Sequence, residues 1–89
     1  MKWYIDFSAD SLKFLKRNNL TEEFIIEKIR FALRKFQGED VNVDIKKLKG
    51  EWEGFYRIRV GRLRIIVEFQ FEYYRVYIEE IDWRGSAYK

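Results

Sequence analysis

The hydrophobic period of this chain changes from 3.6 to 2 at Gly38, and that change limits the folds open to it. Before Gly38, Ile25, Ile29, Ala32, Leu33 and Phe36 recur at helical spacing as one apolar stripe, with Lys28, Arg34 and Lys35 off it. After Gly38, apolar and polar residues alternate almost to the end, the pattern of strands with one covered face. A helical block followed by a strand block predicts the α+β class, with helices gathered on one face of a sheet. The 89 residues fit one domain, 1–89, and 47% apolar with 19% aromatic content supplies its core.

The helical block has readable ends. Lys2 to Phe7 alternates Trp3, Ile5 and Phe7 against polar neighbours and predicts a short strand. Ser8 is placed to cap a helix running through Leu12 and Leu15 to about Asn18, where Asn18-Asn19 breaks it. Thr21 can cap a second helix, Glu22 and Glu23 suit its positive end, and Gly38 supplies the stop.

In the strand block, Val43 and Ile45 begin the alternation, and Gly61-Arg62 fits a two-residue type II′ hairpin with glycine first. That turn predicts Val60 opposite Leu63, Ile58 opposite Ile65 and Tyr56 opposite Val67, all apolar, so turn chemistry and hydrophobic pattern select the same register. A second hairpin around Glu72-Tyr73 pairs Phe71 with Tyr74, Phe69 with Val76 and Val67 with Ile78. The expectation is an N-terminal strand and two helices packed on one face of a twisted, mainly antiparallel four-stranded sheet.

The same register lists the other face. Arg59 falls opposite Arg64 with Ile81 beyond, and Arg57 falls opposite Ile66 with Glu79 beyond. Like charges directly opposite destabilise a sheet by up to roughly 1 kcal/mol, and no acid in the adjacent rows relieves this pair. An arginine pair of that kind suits an anion, and the planar guanidinium matches phosphate oxygens. The alternative reading is a solvated face on which Glu68 or Glu79 bridges to Arg57 or Arg75.

The net charge of +3 is too small to argue for a polyanionic partner, but its distribution is uneven. Residues 46–64 hold Lys46, Lys47, Lys49, Arg57, Arg59, Arg62 and Arg64 against Glu51 and Glu53 alone. Lysines at 46, 47 and 49 also suit a strand edge, which they protect from aggregation. The chain has no cysteine and no histidine, which removes thiolate nucleophiles, disulfides and the commonest catalytic base. No apolar run approaches membrane-spanning length and the start lacks a signal-peptide core, so a cytoplasmic protein is expected. Near the end, Arg84 and Tyr88 stand four apart, and a tyrosine among arginines can have its phenolate favoured.

Three stretches, Lys47-Leu48-Lys49-Gly50, the run Phe55 to Ile66 and the Arg84-x-x-x-Tyr88 ending, in the order strand, two helices, three strands, resemble the RelE/ParE toxin superfamily, RelE-like branch. The resemblance spans nearly the whole chain. It implies a type II toxin that cuts translated mRNA in the ribosome by attack of a ribose 2′-hydroxyl on the adjacent phosphate, without metal or other cofactor. Carried over, Arg57 and Arg59 match the basic pair of the middle strand, Arg64 the phosphate-stabilising arginine, Arg84 the C-terminal arginine and Tyr88 the terminal tyrosine. Lys46, Lys47, Lys49 and Arg62 would add RNA contacts. Arginine is a poor base but a good partner for a pentacoordinate phosphate, so proton transfer falls to Tyr88, to a carboxylate such as Glu79 or to the ribosome. The implied partners are mRNA, the ribosome and an antitoxin whose flexible, acidic segment would cover the arginines beside Trp52 and Phe55, read as exposed. Relatives often carry a basic residue before the last arginine, where this chain has Asp82 and Trp83. The other branch, ParE-like, inhibits DNA gyrase by protein contact, and a non-catalytic RNA- or antitoxin-binding relative is the third class.

Overall fold

A computed structural model describes residues 2–83. The elements are β1 (Tyr4–Phe7), α1 (Ala9–Arg17), α2 (Glu22–Phe36), β2 (Asp44–Lys47), β3 (Phe55–Val60), β4 (Leu63–Gln70) and β5 (Arg75–Trp83). Short 3₁₀ turns occupy Gly50–Trp52 and Phe71–Tyr73. The sheet has five strands in the order β1-β5-β4-β3-β2, with β1 parallel to β5 and the other pairs antiparallel. The expected four strands are therefore corrected to five. The addition is β2, a short charged edge strand in which Ile45 faces Ile58 and Lys46 faces Arg57. Its sequence Asp-Ile-Lys-Lys has too little apolar content to stand out, and pairing with β3 makes it a strand.

The helix ends follow from their caps. Ser8 Oγ accepts from Ser11 N at 3.1 Å, and Thr21 Oγ1 accepts from Phe24 N at 3.1 Å. Asn19 takes φ +54° after α1, and Gly38 takes φ +91° after α2. On α2 the stripe of Ile25, Ile29, Ala32 and Leu33 is buried. It packs with Phe14 and Leu15 of α1 onto Ile58, Ile65, Val67, Val76 and Ile78 of the sheet. Each fully buried isoleucine or valine is worth about 1.5–3 kcal/mol relative to exposure, so this layer fixes which sheet face points inward.

The β3–β4 register is the expected one, with Val60 facing Leu63, Ile58 facing Ile65 and Tyr56 facing Val67. Gly61 stands at φ +60° while Arg62 stays at negative φ, as a type II′ turn requires. The second turn differs. The last pair there is Gln70 with Arg75, and Phe71 does not pair with Tyr74. A two-residue turn at Glu72-Tyr73 would put non-glycine residues at positive φ. The longer turn confines that strain to Tyr74, at φ +55°, whose ring meets Trp3 edge-on at 5.5 Å.

Between Ile66 and Val67 the β4–β5 ladder slips by one residue. Val67 faces Ile78 as expected, but Ile66 faces Glu80 and Arg64 faces Asp82, leaving Glu79 as an extra residue. The expected neighbours, Glu79 for Ile66 and Ile81 for Arg64, are thus replaced. The extra residue is anchored: Glu79 O accepts from Ser8 Oγ at 2.8 Å, and Ile78 O accepts from Ser8 N at 2.9 Å. Past the bulge Ile81 returns to the core face opposite Ile65, so the slip keeps β5 hydrophobic on the helix side.

One residue therefore serves the helix cap and the bulge together. Ser8→Ala is expected to lower stability by about 2 kcal/mol, a cap of roughly 1 kcal/mol plus a partly buried carbonyl left unmatched. Urea unfolding with an unchanged m-value checks this.

Candidate functional site

On the face turned from the helices, the strands align their charges in rows. Alternation along β3 and β4 puts Arg57, Arg59 and Arg64 there, opposite the core-facing Ile58 and Ile65. The row nearest the Gly61 turn reads Asp44, Arg59, Arg64, Asp82 across β2, β3, β4 and β5. The next reads Lys46, Arg57, Ile66, Glu80. The expectation that no acid relieves the Arg59–Arg64 pair is corrected at both ends. The edge strand supplies Asp44, and the bulge supplies Asp82 where Ile81 was expected.

The three arginines differ in commitment. Arg57 is buried, and its Nη2 donates to Asp44 Oδ1 at 2.8 Å, an ion pair with Asp44 and not with Glu68 or Glu79. The Arg59 side chain is 30% exposed, with Nε 3.8 Å from Asp44 Oδ2. Arg64 is half-buried opposite Asp82, whose Oδ1 accepts from Trp83 N at 2.7 Å. The Nε groups of Arg57 and Arg59 are shut off from solvent and donate no hydrogen bond. An unmatched buried donor costs about 1–3 kcal/mol, a cost that a merely solubilising face has no reason to carry.

Of the other residues singled out in the sequence, Lys46 joins the site as the cross-strand neighbour of Arg57. Lys47 and Lys49 are exposed where β2 ends, and Arg62 is exposed in the Gly61 turn. Arg84 and Tyr88 lie outside the described residues. Trp52 and Phe55, expected to be exposed, are half-buried; they cover Leu48 and Ile66, which are 7% and 0% exposed, in a small cluster on the open face. This cover belongs to the loop between β2 and β3. Among the described residues no group of three or more histidine, cysteine, aspartate or glutamate side chains could hold a metal, and no helix is long and apolar enough to cross a membrane.

Sequence reading missed Glu80. Its carboxyl is held above the usual range, first by burial and then by the negative charges of Asp82, Glu79 and Asp10. Counting residues along β5 without the bulge puts Glu79 in its place, and no local motif marks the slip.

Two predictions test this geometry. Removing Asp44 strands a buried cation, whereas replacing Arg57 by an apolar residue of similar length frees an exposed carboxylate to be solvated. Asp44→Ala is therefore expected to cost about 3 kcal/mol and Arg57→Met within about 1 kcal/mol of neutral, measured by urea unfolding. The second concerns pH. A carboxyl whose folded pKa is raised binds its proton more tightly in the native state, so ionised Glu80 weakens the fold above that pKa and the penalty fades as pH falls. Glu80→Gln is expected to raise the unfolding midpoint at pH 7 and to lose that advantage below about pH 4, where unfolded glutamate is also protonated.

No protein-family model and no curated protein matches the chain. Solved structures do. The archaeal RelE–RelB complex from Pyrococcus horikoshii aligns with TM-score 0.65 and 23% identity over 98% of this chain and 100% of that one. The RelB–RelE antitoxin–toxin complex from Methanococcus jannaschii aligns with TM-score 0.57 and 27% identity over 91% and 92%. A toxin from Helicobacter pylori gives TM-score 0.69 at 15% identity over 98% and 100%. The likeness covers both helices and the five-stranded sheet, the architecture expected from the resemblance apart from its strand count. Two helices on one face of a mixed sheet, matched along nearly the full length of these chains, make this protein RelE-like in fold.

Proposed function

We propose that this protein is the toxin of a type II toxin–antitoxin pair, an endoribonuclease that cuts mRNA on the ribosome. The observation that carries the reading is the cross-strand Arg59–Arg64 pair, on the sheet face left uncovered by the helices of a RelE-like fold. Partly buried guanidinium groups keep their charge, and two on adjacent strands suit the extra negative charge of a pentacoordinate phosphate. Asp44 and Asp82 hold that charge in place before RNA arrives, at some cost in affinity for it.

In this reading the 2′-hydroxyl of one nucleotide attacks the next phosphorus, the bond to the 5′-oxygen breaks, and a cyclic phosphate and a 5′-hydroxyl result. Arg64 and Arg59 stabilise the phosphorane oxygens, and Arg57 positions Asp44 and through it Arg59. The attacking hydroxyl must lose a proton. Tyr88 is the acceptor that the resemblance implies, and Glu80, with its raised pKa, is the carboxylate best suited among the described residues. Lys46, Lys47, Lys49, Arg62 and Arg84 would contact the RNA backbone. Antitoxins complete the neighbouring complexes, and an acidic antitoxin segment over this basic face is the counterpart proposed here.

The test is a map of mRNA ends in a translating extract. Wild-type protein is expected to produce codon-phased breaks, and Arg64→Ala to reduce their rate by about 10²–10³-fold, the loss typical of one transition-state donor. Unchanged breaks in Arg64→Ala would exclude the site, and intact mRNA with inhibited DNA supercoiling would assign a gyrase target instead.

A further inference from the structure

A second feature of the open face lies beside the arginine rows. After β2 the chain turns across the sheet through Gly50, at φ +69°, the 3₁₀ turn Gly50–Trp52, and Gly54, at φ +96°. Leu48 N donates to Phe55 O at 2.9 Å and closes the base of this loop. Trp52 meets Phe55 edge-on at 5.5 Å, and together they cover Leu48 and Ile66. The indole is thus seated on a fixed floor at a position where a loop side chain would otherwise be mobile.

Lys46, Lys47, Leu48, Lys49 and Trp52 line a cavity of about 300 Å³. That is the liquid volume of about ten waters, room for one planar base with its sugar and too little for a folded helix. Three lysines and one tryptophan are among the lining residues and no acidic residue is; Glu51 and Glu53 of the same loop are exposed and not part of the lining. The cavity adjoins the arginines, because Lys46 faces Arg57 and Arg57 faces Ile66, the floor beneath Trp52. Single-stranded nucleic acid is held by this combination of backbone cations and aromatic faces. An extended peptide is the weaker fit, since the adjoining edge strand is only four residues long and carries lysines, which oppose strand addition.

We propose that Trp52 is the stacking platform for one unpaired RNA base next to the arginine rows, with Lys46 and Lys49 holding the phosphates on either side of it. The assignment rests on the reading of this face as an RNA surface and adds to it a base-contacting residue. It does not depend on cleavage.

The test is equilibrium binding of a fluorescent, unstructured oligoribonucleotide to the full chain. Trp52→Leu keeps the apolar cover over Ile66 but removes the ring, and is expected to weaken binding about tenfold; Trp52→Phe is expected to stay within about threefold. Lys46→Gln with Lys49→Gln should reduce the slope of log K against log salt by about 1.4, two phosphate contacts on a single strand. If Trp52→Leu does not fold, quenching of the remaining indole by the RNA in Trp3→Phe/Trp83→Phe protein reads the same stacking. Equal affinity in the leucine and wild-type proteins, or no quenching, overturns the proposal. So does tighter, Trp52-dependent binding of a glutamate-rich peptide, which assigns the cavity to a protein partner. Trp52-dependent binding without mRNA cleavage would strike the nuclease reading alone, and cleavage with Trp52-independent binding would strike this one alone.

Discussion

The Ser8 hydroxyl bonded to the Glu79 carbonyl joins the start of α1 to the one irregular point of the sheet. A strand that must bury Val76 and Ile78 on one side of that point, and Ile81 beyond it, needs an extra residue to keep all three on the helix face. The bulge supplies it, and its carbonyl, taken out of the regular ladder, finds a donor in the residue that caps the helix. The β5 side of the far face follows from this slip. It sets Asp82 beside Arg64 and Glu80 beside Ile66.

The resulting rows combine acidic and basic side chains across the open face. Asp44 and Asp82 bracket Arg59 and Arg64, so the like-charge repulsion across β3 and β4 is balanced within its row. Buried ion pairs seldom add net stability over apolar residues of the same size, and here two Nε donors also go unmatched. An arrangement that gives up stability in this way is what the proposed anion site would require. The cost is affordable because the opposite face is packed with fully buried isoleucine and valine side chains.

Much of this architecture was legible in the sequence where a local rule acts alone. Gly61 dictated the β3–β4 turn, and the alternation on both sides of it left one register, which places Arg59 opposite Arg64. Ser8, Thr21 and Gly38 marked helix ends because caps are local chemistry. What escaped the sequence depends on contacts between distant segments. The segment of β2 was marked by Val43 and Ile45 but left out of the strand count, because only its pairing with β3 makes so short a run a strand, and the bulge exists because Ile81 must reach the core while Ser8 waits for a carbonyl. The turn at residues 71–74 reads as a two-residue hairpin until the strain on non-glycine residues is counted. The cross-strand placement of Arg59 and Arg64 was thus legible while that of their acidic neighbours was not, and Trp52 was taken for an exposed aromatic because the loop that seats it has no periodic signature.

The pairing of β1 with β5 has a temporal consequence. Ser8, which follows β1, and Glu79 of β5 are 71 positions apart, and every other described element lies between those two strands. A nascent chain emerging from its N-terminus would hold both helices and four strands before the segment that unites them existed. Until Asp82 emerged, Arg64 would lack its flanking carboxylate and the edge of β4 would stand open. Products truncated before Glu80 should therefore lack the β5 end of both charge rows, which ties the complete rows to synthesis of the last strand.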